Sequence, residues 1–151
     1  MRRKDREMSK EFAMEVAGRC QYAVLGLIGP EGEPYAVPVS IAVNGGSLYF
    51  HSALKGTKAD CIRKDSRVSV VCVGDTRAVP EKFTTEYESA ILKGRAFEVT
   101  EEREKMLGLR LICEKYAPGN MDKFEETAGK SLRATAVWRI DVEEATGKSN
   151  K

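Results

Sequence analysis

Residues 35–52, YAVPVSIAVNGGSLYFHS, contain the signal that sets the fold of this chain. Over residues 35–43, larger apolar side chains alternate with smaller ones, which is the two-residue period of a β-strand. The turn Asn44-Gly45-Gly46 follows, and these residue types adopt the left-handed backbone conformations that a tight hairpin requires. Residues 47–52 then have strand character again. The stretch therefore predicts an antiparallel β-hairpin and, with it, a β-rich fold.

The remaining sequence predicts further strands and several helices around this hairpin. Four more strands are predicted over residues 20–28, 67–74, 87–99 and 134–142. Gly94 predicts a bend in a long strand, and the polar residues 75–86 predict a loop. Helices are predicted over residues 10–17, 57–64, 101–116 and 121–128, with Ser9 capping the first and Thr100 the third. Together these elements predict an α+β fold, an antiparallel six-stranded β-barrel with peripheral helices.

The overall composition is that of an ordinary globular protein. A length of 151 residues predicts one domain spanning residues 1–151, and 42% of the residues are hydrophobic. The net charge is only +2, and the strands do not interleave aromatic residues with Lys and Arg, so nucleic-acid binding is not expected. The basic residues 1–8 predict a solvated N-terminal tail.

Cysteine usage and hydropathy narrow the class of protein further. No apolar run reaches the length of a membrane span and no signal-peptide pattern is visible, which predicts a cytoplasmic protein without a membrane partner. None of the four cysteines is in a Cys-x-x-Cys pair, and a single histidine cannot complete a zinc site with them. Reduced thiols and no metal site are therefore predicted.

The end of the hairpin has the residues of a binding site. His51, the sole histidine, shares a strand face with Tyr49 and is followed by the turn Gly56-Thr57-Lys58 at a helix start. Free helix amides, a hydroxyl and an ammonium group together can bind a phosphate ester. The same residues also fit a plain helix cap and a histidine that merely packs, and the sequence leaves both interpretations open.

Pro38 marks a second candidate element of the site. A proline inside a strand removes one donor of the hydrogen-bond ladder. Backbone groups freed in this way can face a flat heterocycle, which predicts a binding wall along this strand. A β-bulge or an edge strand would explain Pro38 equally well.

Three segments of the chain resemble the pyridoxamine 5′-phosphate oxidase-like flavoproteins. They are GGSLYFHSALKGTKADCIRKDSRVSVVCV, YESAILKGRAFEVTEEREK and AVWRIDVEEATGK. The start MRRKDRE and the motif YFHSA are similar to the nitroimidazole-resistance (Nim-type) branch. The resemblance covers nearly the whole chain and implies a split β-barrel, a homodimer with twofold symmetry and FMN bound at the dimer interface.

The resemblance also implies a set of FMN-binding residues. It places the phosphate and ribityl chain at His51, Ser52, Thr57 and Lys58, and the flavin edge against the backbone of Pro38, Val39 and Ser40. It implies further contacts from Ser89, near the phosphate, and from Trp138 or Arg139 of a partner chain. His51 beside the flavin is the predicted catalytic residue, which stabilises the reduced cofactor or donates a proton to the acceptor.

The chain departs from the true oxidase in two places. Residues 35–43 contain no cation, and the segment after Trp138 lacks the expected Arg/Leu/Pro pattern. Oxidation of pyridoxamine phosphate is therefore not expected. The predicted function is instead the reduction of a small electrophile such as a nitroaromatic, with NAD(P)H as a transient donor because no Gly-x-Gly-x-x-Gly motif is present. The alternatives are a flavin-binding or sensor module without turnover, and a related barrel that uses heme or F420.

Overall fold

One antiparallel sheet of eight strands forms the frame of the protein in a computed structural model, which describes residues 1–151. The strands are β1 (Glu7–Met8), β2 (Ala23–Ile28), β3 (Pro34–Val39), β4 (Ala42–Asn44), β5 (Ser47–Ala53), β6 (Arg67–Val79), β7 (Thr84–Glu98) and β8 (Thr135–Ser149). The helices are α1 (Lys10–Arg19), α2 (Thr57–Lys64), α3 (Glu102–Tyr116) and α4 (Phe124–Ser131), with short 3₁₀ turns between some elements.

The strand order is β3-β2-β6-β7-β8-β5-β4, with β1 paired to β8 outside this path. The two ends of the sheet, β3 and β4, are consecutive in the chain, so the sheet curls into a barrel without closing by hydrogen bonds. The predicted α+β split barrel is confirmed. It has eight strands rather than six, because the segment 35–43 divides in two and residues 7–8 of the expected tail form β1.

The division of the predicted strand falls at Ser40 and Ile41. Ile41 is fully buried, and its backbone groups bond to α3 instead of a neighbouring strand. The Tyr116 hydroxyl accepts from the Ile41 amide at 3.2 Å and donates to the Ile41 carbonyl at 3.2 Å, while the Lys115 ammonium donates to the same carbonyl at 2.9 Å. A buried strand break is tolerated here because side chains replace the ladder bonds.

The predicted loop over residues 75–86 is wrong. β6 continues to Val79 and β7 begins at Thr84, with a short turn between them in which Phe83 adopts a left-handed conformation with φ of 47°. Most of this hairpin extension is exposed, so neither face carries the apolar alternation that marks a half-buried strand. Cross-strand pairs hold it instead, including Arg77 and Glu86 at 2.6 Å.

One of the two predicted helix caps is confirmed and the other is wrong. Ser9 caps α1 as expected, its hydroxyl accepting from the Phe12 amide at 3.1 Å. Thr100 does not cap α3; the carboxylate of Glu101 accepts from the amides of Arg103 and Glu104 instead. A carboxylate offers two oxygens to two free amides, which a threonine hydroxyl cannot match.

The core lies on both sides of β5 and β8. Leu48 and Phe50 point into the barrel and join a cluster of 23 buried residues. Tyr49 and Val137 point the other way and pack with residues of α3 and α4 in a second cluster of eight. The predicted alternation along residues 47–52 is therefore confirmed, and β5 forms a wall between the barrel and the helices.

Gly94 is the site of the predicted bend. The pairing of β7 with β8 shifts register between Lys93 and Gly94, which is a β-bulge. A Cβ atom at Gly94 would lie 2.0 Å from the carbonyl oxygen of Asp141 on β8. Only glycine permits the two backbones to approach this closely.

Candidate functional site

The loop between β5 and α2 presents free backbone donors. Gly56 precedes α2 with φ of 138°, a conformation that glycine adopts readily and other residues rarely do. No side chain caps the helix, and the amides of Thr57, Lys58 and Ala59 have no acceptor within the chain. Three such amides at a helix start attract an anion because their dipoles add.

A cavity of about 270 Å³ lies at these amides. Its lining contains two lysines and no carboxylate, and consists of Tyr35, Ser52, Ala53, Lys55, Gly56, Thr57, Lys58 and Ala59. Neither Lys55 nor Lys58 forms an ion pair with an Asp or Glu of the chain. We call this set the anion cavity. Its charge and donors suit a phosphate monoester, which carries close to two negative charges at neutral pH.

His51 belongs to a different cavity. It points to the opposite face of β5 from Phe50 and lines a space of about 550 Å³ beneath α3 and α4, which we call the helix cavity. Ser52, the next residue along the strand, lines the anion cavity. The end of β5 therefore separates the two cavities, with His51 lining one of them and Ser52 and Ala53 lining the other.

The surroundings of His51 favour its neutral imidazole. The side chain is exposed, yet partial loss of surrounding water lowers its pKa below the ordinary value of 6.5, and the nearby Lys58 ammonium lowers the pKa further. A neutral imidazole has one nitrogen that donates and one that accepts a hydrogen bond. At pH 7 His51 can therefore accept a proton or share one with a bound molecule.

Replacing Lys58 with alanine should raise the pKa of His51 part of the way back toward 6.5, because the charge effect is removed and the burial effect stays. Since His51 is the sole histidine, its NMR titration curve is unambiguous. The pKa of His51 is lower in the folded chain than in the unfolded chain, so the unfolded chain binds the proton first as the pH falls. The free energy of unfolding therefore decreases as the pH falls through 6.5 toward the lowered pKa of the folded state. An unchanged titration curve in the variant would show that the two groups do not interact.

Trp138 contributes to the site through Ser52. Its ring is 1% exposed and stacks on Phe50, with ring centroids 6.2 Å apart. The indole nitrogen donates to the Ser52 hydroxyl at 2.9 Å, and that hydroxyl donates onward to the Ala53 carbonyl at 2.8 Å. Arg63 covers the ring at 5.5 Å. Within one chain Trp138 therefore fixes the end of β5 from inside the core, and its predicted cofactor contact stays a prediction.

The edge strand β3 ends with Pro38 and Val39, and Ser40 follows it directly. The edge position explains a proline in this strand, because one side of β3 has no ladder to interrupt. Val39 is buried in the barrel core, and none of the three residues lines the anion cavity or the helix cavity. Their contact with a flavin ring stays a prediction.

Ser89 and Arg139 lie away from the anion cavity within one chain. Ser89 pairs with Lys148 near the end of β8, whereas Ser52 pairs with Ala136 at its start. Arg139 is engaged by Glu104 at 2.6 Å and by Asp141 at 2.9 Å. A contact of either residue with a cofactor would need a second chain.

Sequence reasoning missed four residues of the anion cavity, and two of them, Tyr35 and Lys55, have polar side chains. Tyr35 is predicted only as the first residue of the strand 35–43, and Lys55 has no predicted role. The position of Lys55 directly before Gly56 was a usable signal, because a cation beside a glycine at a helix start adds to an anion site. Tyr35 carried no such signal. Its presence depends on the packing of β3 against the β5–α2 loop.

The chain is thus a split barrel with a cationic, amide-lined cavity at one strand end. The chain belongs to the pyridoxamine 5′-phosphate oxidase family, whose model matches residues 9–149. This confirms the resemblance seen in the sequence. No functionally characterised protein in the curated set matches the chain.

Solved structures confirm the fold over almost the whole chain. A candidate 5-nitroimidazole antibiotic resistance protein from Bacteroides thetaiotaomicron aligns with a TM-score of 0.81 at 21% identity, covering 96% of this chain and 90% of the other. An FAD-binding protein from Mesorhizobium loti aligns with a TM-score of 0.68 at 20% identity, covering 97% and 98%. An FAD and heme binding protein from Mycobacterium smegmatis aligns with a TM-score of 0.82 at 17% identity, covering 97% and 74%.

None of the four α-helices is long and apolar enough to cross a bilayer.

Proposed function

We propose that the protein binds FMN and acts as an oxidoreductase that reduces a small electrophile such as a nitroaromatic compound. The observation that carries this proposal is the anion cavity, where three uncapped amides and two unpaired lysines meet. The family and the fold support it, because structural neighbours include an FAD-binding protein and a candidate nitroimidazole resistance protein.

The residues of the anion cavity fit the phosphate end of the cofactor. Lys58 and Lys55 would neutralise the phosphate, while Thr57 and the amides of the first turn of α2 would donate hydrogen bonds to its oxygens. FMN, when bound, supplies the transfer of electrons. The protein's own part is to orient the cofactor and to exclude water from one side of it.

His51 is the proposed catalytic residue. Its neutral imidazole can donate its ring proton to an acceptor or accept a hydrogen bond from a reduced cofactor. The helix cavity gives a small molecule a route to this ring from the side opposite the barrel core. Oxidation of pyridoxamine phosphate is not proposed, because β3 and β4 contain no cation that could hold a second phosphate.

The nature of the cofactor is the first test. Purified protein should be yellow, and the chromophore released by denaturation should have the mass of FMN. If the released chromophore has the mass of FAD, heme or F420, that molecule is the cofactor in place of FMN. A colourless protein that takes up none of them would refute the flavoprotein proposal.

The activity is the second test. Under anaerobic conditions, NAD(P)H should reduce the bound flavin, and a nitroaromatic compound should then reoxidise it in stopped-flow measurements. Flavin that binds fully but is never reoxidised by such acceptors would favour a binding or sensor module without turnover.

We also propose a homodimer formed by the outer face of β6 and β7. Val71, Val73 and Ile91 are exposed there by 36%, 50% and 44%, and Val71 pairs directly with Ile91. Neighbouring apolar side chains on one sheet face commonly mark an interface. Ser89 pairs with Val73 and lies on the same face of β7 as Ile91. In this dimer Ser89 would therefore face the partner chain and its site.

Replacing Ile91 with glutamate should convert the dimer to a monomer, because a charge in the middle of an apolar interface loses its hydration without gaining a partner. Light scattering coupled to size-exclusion chromatography measures this directly. Leu107→Glu is the matched control, since Leu107 is 40% exposed but lies on α3, away from this face. A dimer in both variants would place the interface elsewhere.

A further inference from the structure

The helix cavity is larger than the anion cavity and differs from it in chemistry. It lies between β5, α3 and α4 and has a volume of about 550 Å³, which is within the range of small-molecule sites. Its apolar lining is formed by Leu109, Ile112, Phe124 and Ala128. All four are largely buried, so the surface is held in place by the second core cluster.

The polar side chains of the helix cavity include two, both exposed to solvent, that have no partner within the chain. Asn120 and Lys123 form no side-chain hydrogen bond or ion pair within the chain, and no carboxylate is among the lining residues. The acids that follow Lys123 are already engaged: Glu125 bonds to Arg110, and Glu126 bonds to Lys130 at 2.6 Å. The neighbouring Asp122 does not line the cavity. The cavity therefore has one free cation and one free amide above an apolar surface.

Such a cavity selects for a particular kind of ligand. One cation with an amide beside it balances a single negative charge, whereas a dianionic phosphate is better matched by the two lysines and three amides of the anion cavity. The apolar lining favours a hydrocarbon or aromatic body, because covering that surface removes it from water. A cation would be repelled by the ammonium group of Lys123.

We propose that the helix cavity binds a small carboxylic acid with an apolar body, the size of an aromatic ring with short substituents. The carboxylate is held by Lys123 and Asn120, and the body lies on Leu109, Ile112 and Phe124 with its far end toward His51. This assignment does not rest on the flavin proposal, because no residue of the anion cavity takes part in it.

Titration calorimetry with benzoate tests the charge requirement. Benzoate should bind at least tenfold more tightly than benzamide, its neutral isostere, and benzylamine should not bind, since a charge-assisted hydrogen bond is worth roughly a factor of ten or more. Lys123→Met should weaken benzoate binding by about tenfold. Lys82→Met is the control, because Lys82 is an exposed lysine in the turn between β6 and β7 that does not line this cavity, and it should leave the affinity unchanged.

The rate at which the Cys113 thiol is alkylated tests whether benzoate binds in the helix cavity. Cys113 lines the helix cavity and is partly exposed, whereas Cys20, Cys61 and Cys72 are buried. Alkylation of native protein by iodoacetamide, followed by mass spectrometry, should therefore modify Cys113 first, and saturating benzoate should slow this reaction about fivefold or more by covering the thiol. Thr127→Phe, a change at an exposed lining position of α4, should block the cavity and abolish both benzoate binding and the protection.

Each outcome decides the proposal. Equal affinity for benzoate and benzamide, or binding that survives both Lys123→Met and Thr127→Phe, would overturn it, and so would the absence of benzoate binding. Preferential binding of a neutral nitroaromatic in this cavity would also overturn it. Flavin binding is measured separately on the same samples, so its failure with benzoate binding intact would refute the proposed cofactor and leave this site standing.

Discussion

Lys58→Met is expected to weaken FMN binding by about ten- to a hundredfold, which is the usual value of a hydrogen-bonded charge facing a phosphate. Lys58 lines the anion cavity without an acidic partner, so the ammonium is free to bind a ligand. Methionine keeps most of the length and apolar character of the side chain. The loss therefore reports the charge rather than the packing.

Fluorescence quenching of added flavin by the apoprotein gives the dissociation constants for this comparison. Lys82→Met is the control, because Lys82 is an exposed lysine in the turn between β6 and β7, outside the anion cavity. Thr57→Val should reduce affinity by a smaller factor, since only one neutral donor is removed. Wild-type affinity in both Lys58→Met and Thr57→Val would show that the phosphate binds elsewhere.

The same titrations separate the phosphate site from the ring site. Riboflavin lacks the phosphate, so its affinity should be almost the same for wild type and Lys58→Met. If riboflavin weakens as much as FMN does, the variant has changed the fold of the loop rather than a phosphate contact.

Gly94→Ala is expected to lower the free energy of unfolding by about 3 kcal/mol or more, a value seen when a core backbone contact is overpacked. The new methyl group would lie 2.0 Å from the Asp141 carbonyl oxygen and 2.9 Å from its carbonyl carbon. Both atoms belong to the backbone of β8, so relief would require β7 and β8, the two longest strands, to separate at the bulge.

Gly129→Ala is the control with the opposite sign. Gly129 lies inside α4 and an added Cβ would meet no atom within 4 Å, so the better helix propensity of alanine should raise stability by up to about 1 kcal/mol. Urea unfolding at one fixed protein concentration compares the variants, because a dimer's apparent stability depends on concentration. Equal midpoints for Gly94→Ala and wild type would mean that β8 moves away freely at this point.

Local sequence patterns predicted much of the fold. The helix α2 has the predicted bounds, 57–64, and the turn at Gly45 and Gly46 joins β4 to β5 as expected. These features depend on neighbouring residues only: alternation, glycine at a turn, and apolar spacing on a helix. The candidate site was predicted in part for the same reason, since Gly56, Thr57 and Lys58 are consecutive and act together through one helix start.

Features that depend on partners distant in sequence were not predicted. Strand 35–43 divides at Ile41 because Lys115 and Tyr116, more than seventy residues later, bond its backbone. The extension of β6 and β7 past the barrel has no apolar period, so pairing between the two strands decided it. Neither fact can be read from a window of ten or twenty residues.

The sequence by itself determined the family, the split-barrel class and the glycine turn that begins α2 at Gly56, because each follows from local patterns along the chain. The tertiary structure decided which side chains share a cavity. It put Ser52 and His51 into two separate spaces, brought Tyr35 to the first, and formed the second from α3 and α4. The reason is physical: a strand's period fixes which face a side chain takes, but the docking of distant helices and strands fixes what that face meets.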